Sequence, residues 1–498
     1  MKLKSLIILS SLSAWGVMYA GELPRTSPEA QGMDSGKIIE LLDSLTSIPQ
    51  TELHSLTVLR HGNVVAEAAI HPFSRGDQHE LFSVSKTFTA TAVGLAVADN
   101  LLRLDDRLGA ILPESLPDSV SPWLADVTVR DLLTMTSGLK VDWGMRGRED
   151  NWTEIMMAEP MAAEPGTKFA YDSMSSYLLS AIVQKVVGKN ILEYLSERVF
   201  GPLEITGYAW DVSPEGVITG GWGLWMRPDD LAKFGQLLLD KGVWNGKHIL
   251  PEDWVTEMMT KRVDVPGTSD YCYQMWTCPH EDAVRADGAW GQYIIIMPKE
   301  DMVAVVTQCQ QGVSDRVQAL VWNTLTPTLS DTPKKEGRDA RRLATRINSY
   351  SHPFPAGKSS SAAPFLGKHI TLADNPMGWK SIEITQEGKT VRLSATDASG
   401  KTDEYICGYK DWEKTRMVSN PPDERSDTHN RFSGHTTPFY ADAAYGWNND
   451  GCLNVKIHYT NWYSSLALTV TPGSTPDSAT VTFKLNYMGA PVNVAGTF

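Results

Sequence analysis

Apolar residues recur at helical spacing through the first half of the chain and alternate with polar residues through the second. In residues 87–98, Phe88, Thr91, Ala92, Leu95 and Ala96 form one stripe with a period near 3.6, which predicts a helix. Residues 38–45 read as a shorter amphipathic helix, and residues 56–60 and 64–67 as two strands around the turn His61-Gly62-Asn63. Up to residue 260 the pattern stays mostly helical, with segments at 101–112, 129–135, 177–187 and 228–240. It changes to strands from Tyr271. The apolar runs 293–297 and 302–307 flank Pro298-Lys299-Glu300-Asp301, a hairpin signal, and residues 317–325 return to helix. Strands and helices in this order predict an α+β fold, an antiparallel sheet flanked by helices with a mostly helical subdomain between its first and last strands.

Residues 329–363 hold Pro353, Pro355 and Ser359-Ser360-Ser361 and read as a linker with room for one short helix. Beyond it, strand-like runs at 381–384, 390–393, 453–457 and 479–483 predict a C-terminal all-β domain, a sandwich or barrel, over residues 364–498. Lys2 and Lys4 precede an apolar run at 6–17 and a small residue, Ala20. Residues 1–20 therefore read as a cleavable export signal and residues 21–328 as the first folded domain, in the periplasm or outside the cell.

Ser83-Val84-Ser85-Lys86 lies where the polar stretch His79-Glu80-Leu81-Phe82 meets the helix. Residues i and i+3 share a helix face, so Lys86 can stand beside Ser83 and take its proton, while the helix start supplies unpaired N–H donors. The alternative for Ser83 is an ordinary helix N-cap. The same pattern recurs as Ser137-Gly138-Leu139-Lys140, but there a glycine and a turn-rich stretch follow, with no helical period. A second candidate segment is Tyr171-Asp172-Ser173, after the turn Pro165-Gly166, where a phenol and a hydroxyl can project into a cleft.

Composition narrows the possibilities. A net charge of −14 argues against nucleic acid or anionic lipid as partners. The 5 cysteines are too few and scattered for a disulfide framework, though an exported chain can form isolated bridges, and Cys272 with Cys278 and Cys407 with Cys452 are the pairs to examine. Cys278-Pro279-His280 lacks a second paired cluster, so no metal or other cofactor is expected. His54, His61, His71 and His79 read as surface or satisfied histidines.

Five stretches together resemble the serine β-lactamase and penicillin-binding protein superfamily, specifically the class C β-lactamase-related serine hydrolases. They are Leu81 to Phe88, Val129 to Leu139, Pro165-Gly166 with Tyr171-Asp172-Ser173, Gly220-Gly221-Trp222-Gly223-Leu224, and Gly291-Gln292-Tyr293. They span about residues 28 to 325 in the family's order. The resemblance implies that Ser83 is the acylated nucleophile, that Lys86 takes or relays its proton and that Tyr171 works with Lys86 as base and acid. Ser173 would orient substrate or the lysine. Thr136-Ser137-Gly138-Leu139 would be a structural turn.

The family's third motif, Lys or His then one residue then Gly, maps to Ala286-Asp287-Gly288, so its cation is missing. Arg285 is one residue away and would face the other side of the strand. The family's oxyanion hole maps to the N–H groups of Ser83 and Ala289. A charge-assisted contact to a substrate carboxylate is worth ~1.5–3 kcal/mol, and an ester or amide without that group loses nothing. The expected activity is therefore cleavage of an ester, amide or D-amino-acid peptide bond in a small molecule or cell-wall peptide. The alternative is a protein of the same fold that binds a β-lactam or cell-wall peptide with little turnover. Trp222, Trp225, Trp276 and Trp290 are candidates for a substrate wall, with Gly288 and Trp290 nearest the oxyanion side, and Trp412, Trp447 and Trp462 for a sugar platform in the tail.

Overall fold

The computed structural model describes residues 21–140, 143–418, 421, 432–434 and 439–498. The expected export segment, residues 1–20, lies outside the described residues. Among those described, a six-stranded antiparallel sheet runs in the order Asn63–Ala69, Thr51–Arg60, Met302–Gln310, Gln292–Met297, Val284–Gly288, Trp276–Thr277. The two predicted hairpins are thus neighbours in space, joined by pairs such as Val58 with Ala304, and the helical region is the insertion between them. Central strands buried on both faces read as unbroken apolar runs, which is why 293–297 and 302–306 show no alternation. One face packs on the helices Ser35–Ser47 and Ser314–Leu325 through Ile38, Leu42, Val317 and Val321. The other packs on Pro228–Leu239 and the helical subdomain, whose core includes Phe88, Leu132, Tyr177 and Phe234.

The tail is a β-barrel. Nine strands from His369–Leu372 to Val492–Thr497 follow one another by antiparallel pairing, and the ring closes where Cys407 to Tyr409 runs parallel to Ala443 to Tyr445. Alternate positions point inward along the strands, as in Ser478–Leu485, where Ala479, Val481, Phe483 and Leu485 are buried.

The barrel is docked firmly on the first domain. Phe432–Gly434 adds a strand to a small sheet made of Ala209–Asp211, Leu224–Met226 and His79–Glu80, the last lying just before Ser83. Glu52 accepts hydrogen bonds from Lys456 Nζ at 3.1 Å and Ser465 Oγ at 2.8 Å of the barrel. Residues 329–363, expected as a linker, run as a strap along the first domain. Their helix Arg338–Arg346 buries Leu343 against Ser35–Ser47, Lys334 pairs with Asp34 at 2.7 Å, and His352 bonds the Leu53 carbonyl at 2.9 Å. Proline and serine content reported low helical and strand propensity there, and propensity does not register long-range docking.

Two other expectations, the disulfide pairs and the tryptophan platform, are corrected. All five cysteines are free. Cys407 pairs with Ala443, four residues along the strand from Trp447, the partner of Leu453, so Cys452 is roughly 13 Å away at strand spacing, beyond disulfide reach. Cys272 Sγ turns to the Met259 carbonyl while Cys278 faces Arg285. Trp412, Trp447 and Trp462 are 6%, 0% and 2% exposed, so they are packing and form no sugar platform. Of the histidines, His54 and His79 are fully buried and bonded to each other at 2.9 Å.

Candidate active site

The polypeptide enters the helix Ser85–Ala98 through a tight turn, Phe82–Val84, in which Phe82 has φ +47°. The Glu80 carboxylate holds that turn, accepting from the Phe82 N–H at 2.9 Å and the Gly223 N–H at 3.1 Å. Ser83 is half-buried, and its hydroxyl makes no helix-capping bond, which removes the N-cap alternative. It faces the lysine one turn on.

Lys86 is 1% exposed and has three partners: Ser83 Oγ at 2.9 Å, Ser173 Oγ at 2.7 Å and the Gly221 carbonyl at 2.7 Å. The carbonyl can only accept. A neutral amine has two N–H donors and one lone pair, so donating to Gly221 and Ser173 leaves the lone pair for the Ser83 proton. Burial disfavours the ammonium and lowers the Lys86 pKa to about 7, while the negative charges of Asp172 and Glu80 act in the opposite sense.

Each partner is delivered by its own element. Ser173 opens the helix Ser173–Val187, whose N-cap Asp172 accepts from the N–H groups of Met174 at 2.7 Å and Ser175 at 3.0 Å. Burial raises the Asp172 pKa against those bonds. Gly221 lies close against that helix, because a Cβ there would stand 2.6 Å from the Ser173 carbonyl oxygen. Thr89 Oγ1 ties the same loop to the helix Ser85–Ala98 through the Gly220 carbonyl at 2.7 Å.

Tyr171 brings its ring centroid to 5.0 Å from Lys86 Nζ and stacks on Trp276 at 5.5 Å. Its phenol pKa is pushed up by burial around the hydroxyl and pulled down by a hydrogen bond with Ser83, with Asp287 and Asp172 pushing up further. The side chain is 38% exposed, so solvent tempers the burial effect.

On the opposite side of Ser83 runs Val284–Gly288. Gly288 almost touches the turn that carries Ser83, with its Cβ position 2.3 Å from the Leu81 carbonyl oxygen, so the strand Val284–Gly288 ends beside that turn. Ala286 is buried in the core with Val84. Arg285 lies on the other face, bonded to Asp287 at 2.8 Å and Ser269 at 3.1 Å. Ala289 and Trp290 follow in a turn closed by Gly291 N–H to the Gly288 carbonyl at 3.1 Å. Of the four tryptophans expected at a substrate wall, Trp276 stacks on Tyr171 at the site. Trp290 follows Ala289 but lays its ring on Tyr463 of the barrel, Trp222 packs on Trp152 and Trp225 on Trp462.

Residues that sequence reasoning missed are Glu80, Asp172 and the Gly221 carbonyl. The paired glycines 220 and 221 and the polar residue before a helix were the available signals. At the second Ser-x-x-Lys, Ser137 Oγ bonds Ser175 Oγ at 3.0 Å, Gly138 has φ +73° and Lys140 is exposed.

Comparison with known proteins shows the family. The family model described as Beta-lactamase matches residues 51–323. The 6-aminohexanoate-dimer hydrolase of Paenarthrobacter ureafaciens is 26% identical over 331 residues, 58% of this chain and 84% of that protein. The lovastatin esterase of Penicillium rubens is 29% identical over 152 residues, 25% of this chain and 38% of that one. Among solved structures, a penicillin-binding protein homologue from Caulobacter crescentus aligns with a TM-score of 0.50 at 15% identity, covering 58% of this chain and 97% of its own. EstCE1, a hydrolase with promiscuous acyltransferase activity, aligns with a TM-score of 0.50 at 18% identity, covering 58% of this chain and 97% of its own. With the family model spanning more than half of the chain, and Ser83, Tyr171 and Ser173 gathered around Lys86, this chain belongs to the beta-lactamase family of serine hydrolases.

Proposed function

We propose that the protein cleaves an ester, amide or D-amino-acid peptide bond through an acyl-enzyme on Ser83. The observation that carries this reading is the Lys86 amine, buried, bonded to Ser83 Oγ at 2.9 Å and with a pKa lowered to about 7. Near neutral pH a large share of Lys86 is unprotonated. It accepts the Ser83 proton as Oγ attacks the carbonyl carbon. The developing oxyanion is taken by the N–H groups of Ser83 and Ala289. Tyr171, beside Lys86, gives its phenol proton to the leaving group and regains one from the Lys86 ammonium, which restores the neutral amine, and water then attacks the acyl carbon by the same route in reverse.

The substrate class follows from the third motif. Ala286 offers no charge to a substrate carboxylate, and the neighbouring guanidinium of Arg285 is committed to Asp287. Two relatives are named as a hydrolase of a 6-aminohexanoate dimer and as a lovastatin esterase, which supports a scissile bond outside a β-lactam ring. We place the mature chain, from near Gly21, in the periplasm or outside the cell, acting on a small molecule or cell-wall peptide. Sequencing the N-terminus of protein recovered from that compartment checks the location.

The functional test is the intact mass of wild type and of Ser83→Ala after exposure to a fluorophosphonate and, separately, to a penicillin. An adduct with the fluorophosphonate that is lost in Ser83→Ala, with rapid turnover of an aryl ester and slow turnover of penicillin, is the expected result. A stable penicillin adduct without turnover of any ester would favour the binding-protein reading. No adduct with either probe would overturn the reactive serine.

A further inference from the structure

Two aromatic residues that flank the proposed oxyanion donors hold a backbone conformation that side chains with a Cβ rarely adopt. Phe82, whose peptide carries the Ser83 N–H, has φ +47°, and Trp290, directly after Ala289, has φ +63°. Trp290 occupies the third position of the four-residue turn 288–291, where glycine or asparagine is favoured. Bulky residues persist in this region only where their surroundings over-determine them. The first domain fixes the main chain, through Glu80 at the Phe82 N–H at 2.9 Å and the Gln310 N–H at the Trp290 carbonyl at 2.9 Å, and the barrel holds the two rings.

The loop between Leu453–Tyr459 and Ser465–Pro472 carries Trp462 and Tyr463, both fully buried. Phe82 packs edge-on against Tyr463 at 5.3 Å and tilted against Trp462 at 5.7 Å. Trp290 stacks flat on Tyr463, 5.0 Å between centroids with 5° between planes, and meets Tyr487 at 5.7 Å. One barrel ring therefore touches both strained residues, the one before Ser83 and the one after Ala289. Tyr487 backs it at 5.5 Å. Main-chain pairing of Phe432–Gly434 with Ala209–Asp211 anchors the barrel to the small sheet that ends beside Ser83.

We propose that the C-terminal barrel is a working part of the active site, with Tyr463 as a positioning residue that fixes the spacing of the Ser83 and Ala289 N–H groups. This rests on the reading of Ser83 as nucleophile. Tyr463 touches no reacting atom. It acts by holding Phe82 and Trp290, so its removal lets the two turns relax and the two donors diverge from the position of the oxyanion. Donors matter most when the charge develops, so the loss falls on kcat and leaves KM nearly unchanged.

The test uses the full chain in five forms: wild type, Tyr463→Phe, Tyr463→Ala, Tyr487→Ala and Leu393→Ala. The last opens a void on the barrel strand Thr390–Asp397, across the ring of strands from the Tyr463 loop. Each is read by the rate of fluorophosphonate labelling at Ser83, by kcat and KM on an aryl ester, and by thermal melting. Tyr463→Ala should lower kcat and the labelling rate by roughly tenfold or more at near-constant KM, a fraction of what deleting an oxyanion donor costs. Tyr463→Phe and Leu393→Ala should stay within about threefold of wild type.

The proposal is overturned if Tyr463→Ala matches wild type, or if Leu393→Ala loses as much, since either result makes the ring ordinary packing. Should Tyr463→Ala fail to melt cooperatively, the half-buried Tyr487→Ala decides. A several-fold fall in kcat supports the clamp, and no fall overturns it. Absence of labelling on wild type would instead overturn the serine reading, and the clamp with it, an outcome distinct from labelling that is indifferent to Tyr463.

Discussion

The chain spells Ser-x-x-Lys twice, and the two copies have become different things. Around Ser83 the pattern winds into a helix, so the lysine falls one turn above the serine and is buried with three polar partners. Around Ser137 the next residue is Gly138 at φ +73°, the chain turns away, and Lys140 ends in solvent. The second copy is a brace. Ser137 bonds Ser175, and the Gly138 carbonyl accepts from the Ala162 N–H at 2.7 Å. The difference teaches that the motif supplies atoms, whereas reactivity comes from the environment that strips water from the amine and lowers its pKa.

Replacing each serine breaks the comparison most sharply. Ser83→Ala should reduce kcat for an aryl ester by roughly 10⁴-fold or more, as expected for loss of a nucleophile. Ser137→Ala should leave kcat within several-fold and lower stability by about 1 kcal/mol, the worth of a typical hydrogen bond. Steady-state kinetics with thermal melting on both variants measures this. Comparable losses of activity would mean that the second copy also does chemistry.

The glycines give the next contrast. A Cβ at Gly288 would stand 2.3 Å from the Leu81 carbonyl oxygen, and one at Gly138 would stand 2.2 Å from that of Ala163. The steric insult is alike, but its location differs. Gly288→Ala should push the strand Val284–Gly288 from the turn that carries Ser83, and, with Ser83 and Ala289 in the roles proposed, a displacement near 1 Å should cost kcat about 10²-fold. Gly138→Ala should cost ~1–3 kcal/mol of stability, through the clash and the positive φ, with kcat per folded molecule retained. Measuring kcat and melting temperature side by side separates the two. A Gly138→Ala enzyme that melts normally but turns over slowly would contradict it.

Local patterns in the sequence carried much of this and stopped at a definable point. The 3.6 period after Ser83, the hairpin around Pro298 and the alternation in 479–483 each depend on neighbours within one element, and each forms as read. Ser83 with Lys86, and Tyr171 with Ser173, are legible because each pair lies within one short segment. The Gly221 carbonyl is 135 positions from Lys86, and Trp462 and Tyr463 meet Phe82 only after the barrel docks. No local period encodes such contacts. The strap at 329–363 illustrates the same limit, because its polar, proline-containing sequence says what it cannot form alone and nothing of what it packs on.

The smallest expected effect is the most specific to Lys86. If its neutral amine is the base, kcat/KM must fall as pH drops through about 7, since protonation removes the lone pair that receives the Ser83 proton. Two carboxylates, Asp172 and Glu80, oppose the burial that lowers this pKa. Glu80 also holds the Phe82 turn, so removing it would disturb geometry. Asp172 is the cleaner position, because asparagine also serves as an N-cap and can accept at least one of the two N–H bonds that Asp172 now takes. Asp172→Asn therefore removes a charge that favours the ammonium, and the acid limb should move to lower pH, by up to about one unit. Lys140→Met, in the other copy of the motif, should leave the limb where it is. A pH profile of kcat/KM on the aryl ester reads both. An unmoved limb in Asp172→Asn would mean that the titrating group is not Lys86, and a limb moved upward would mean that the carboxylate acts on the base through geometry rather than charge.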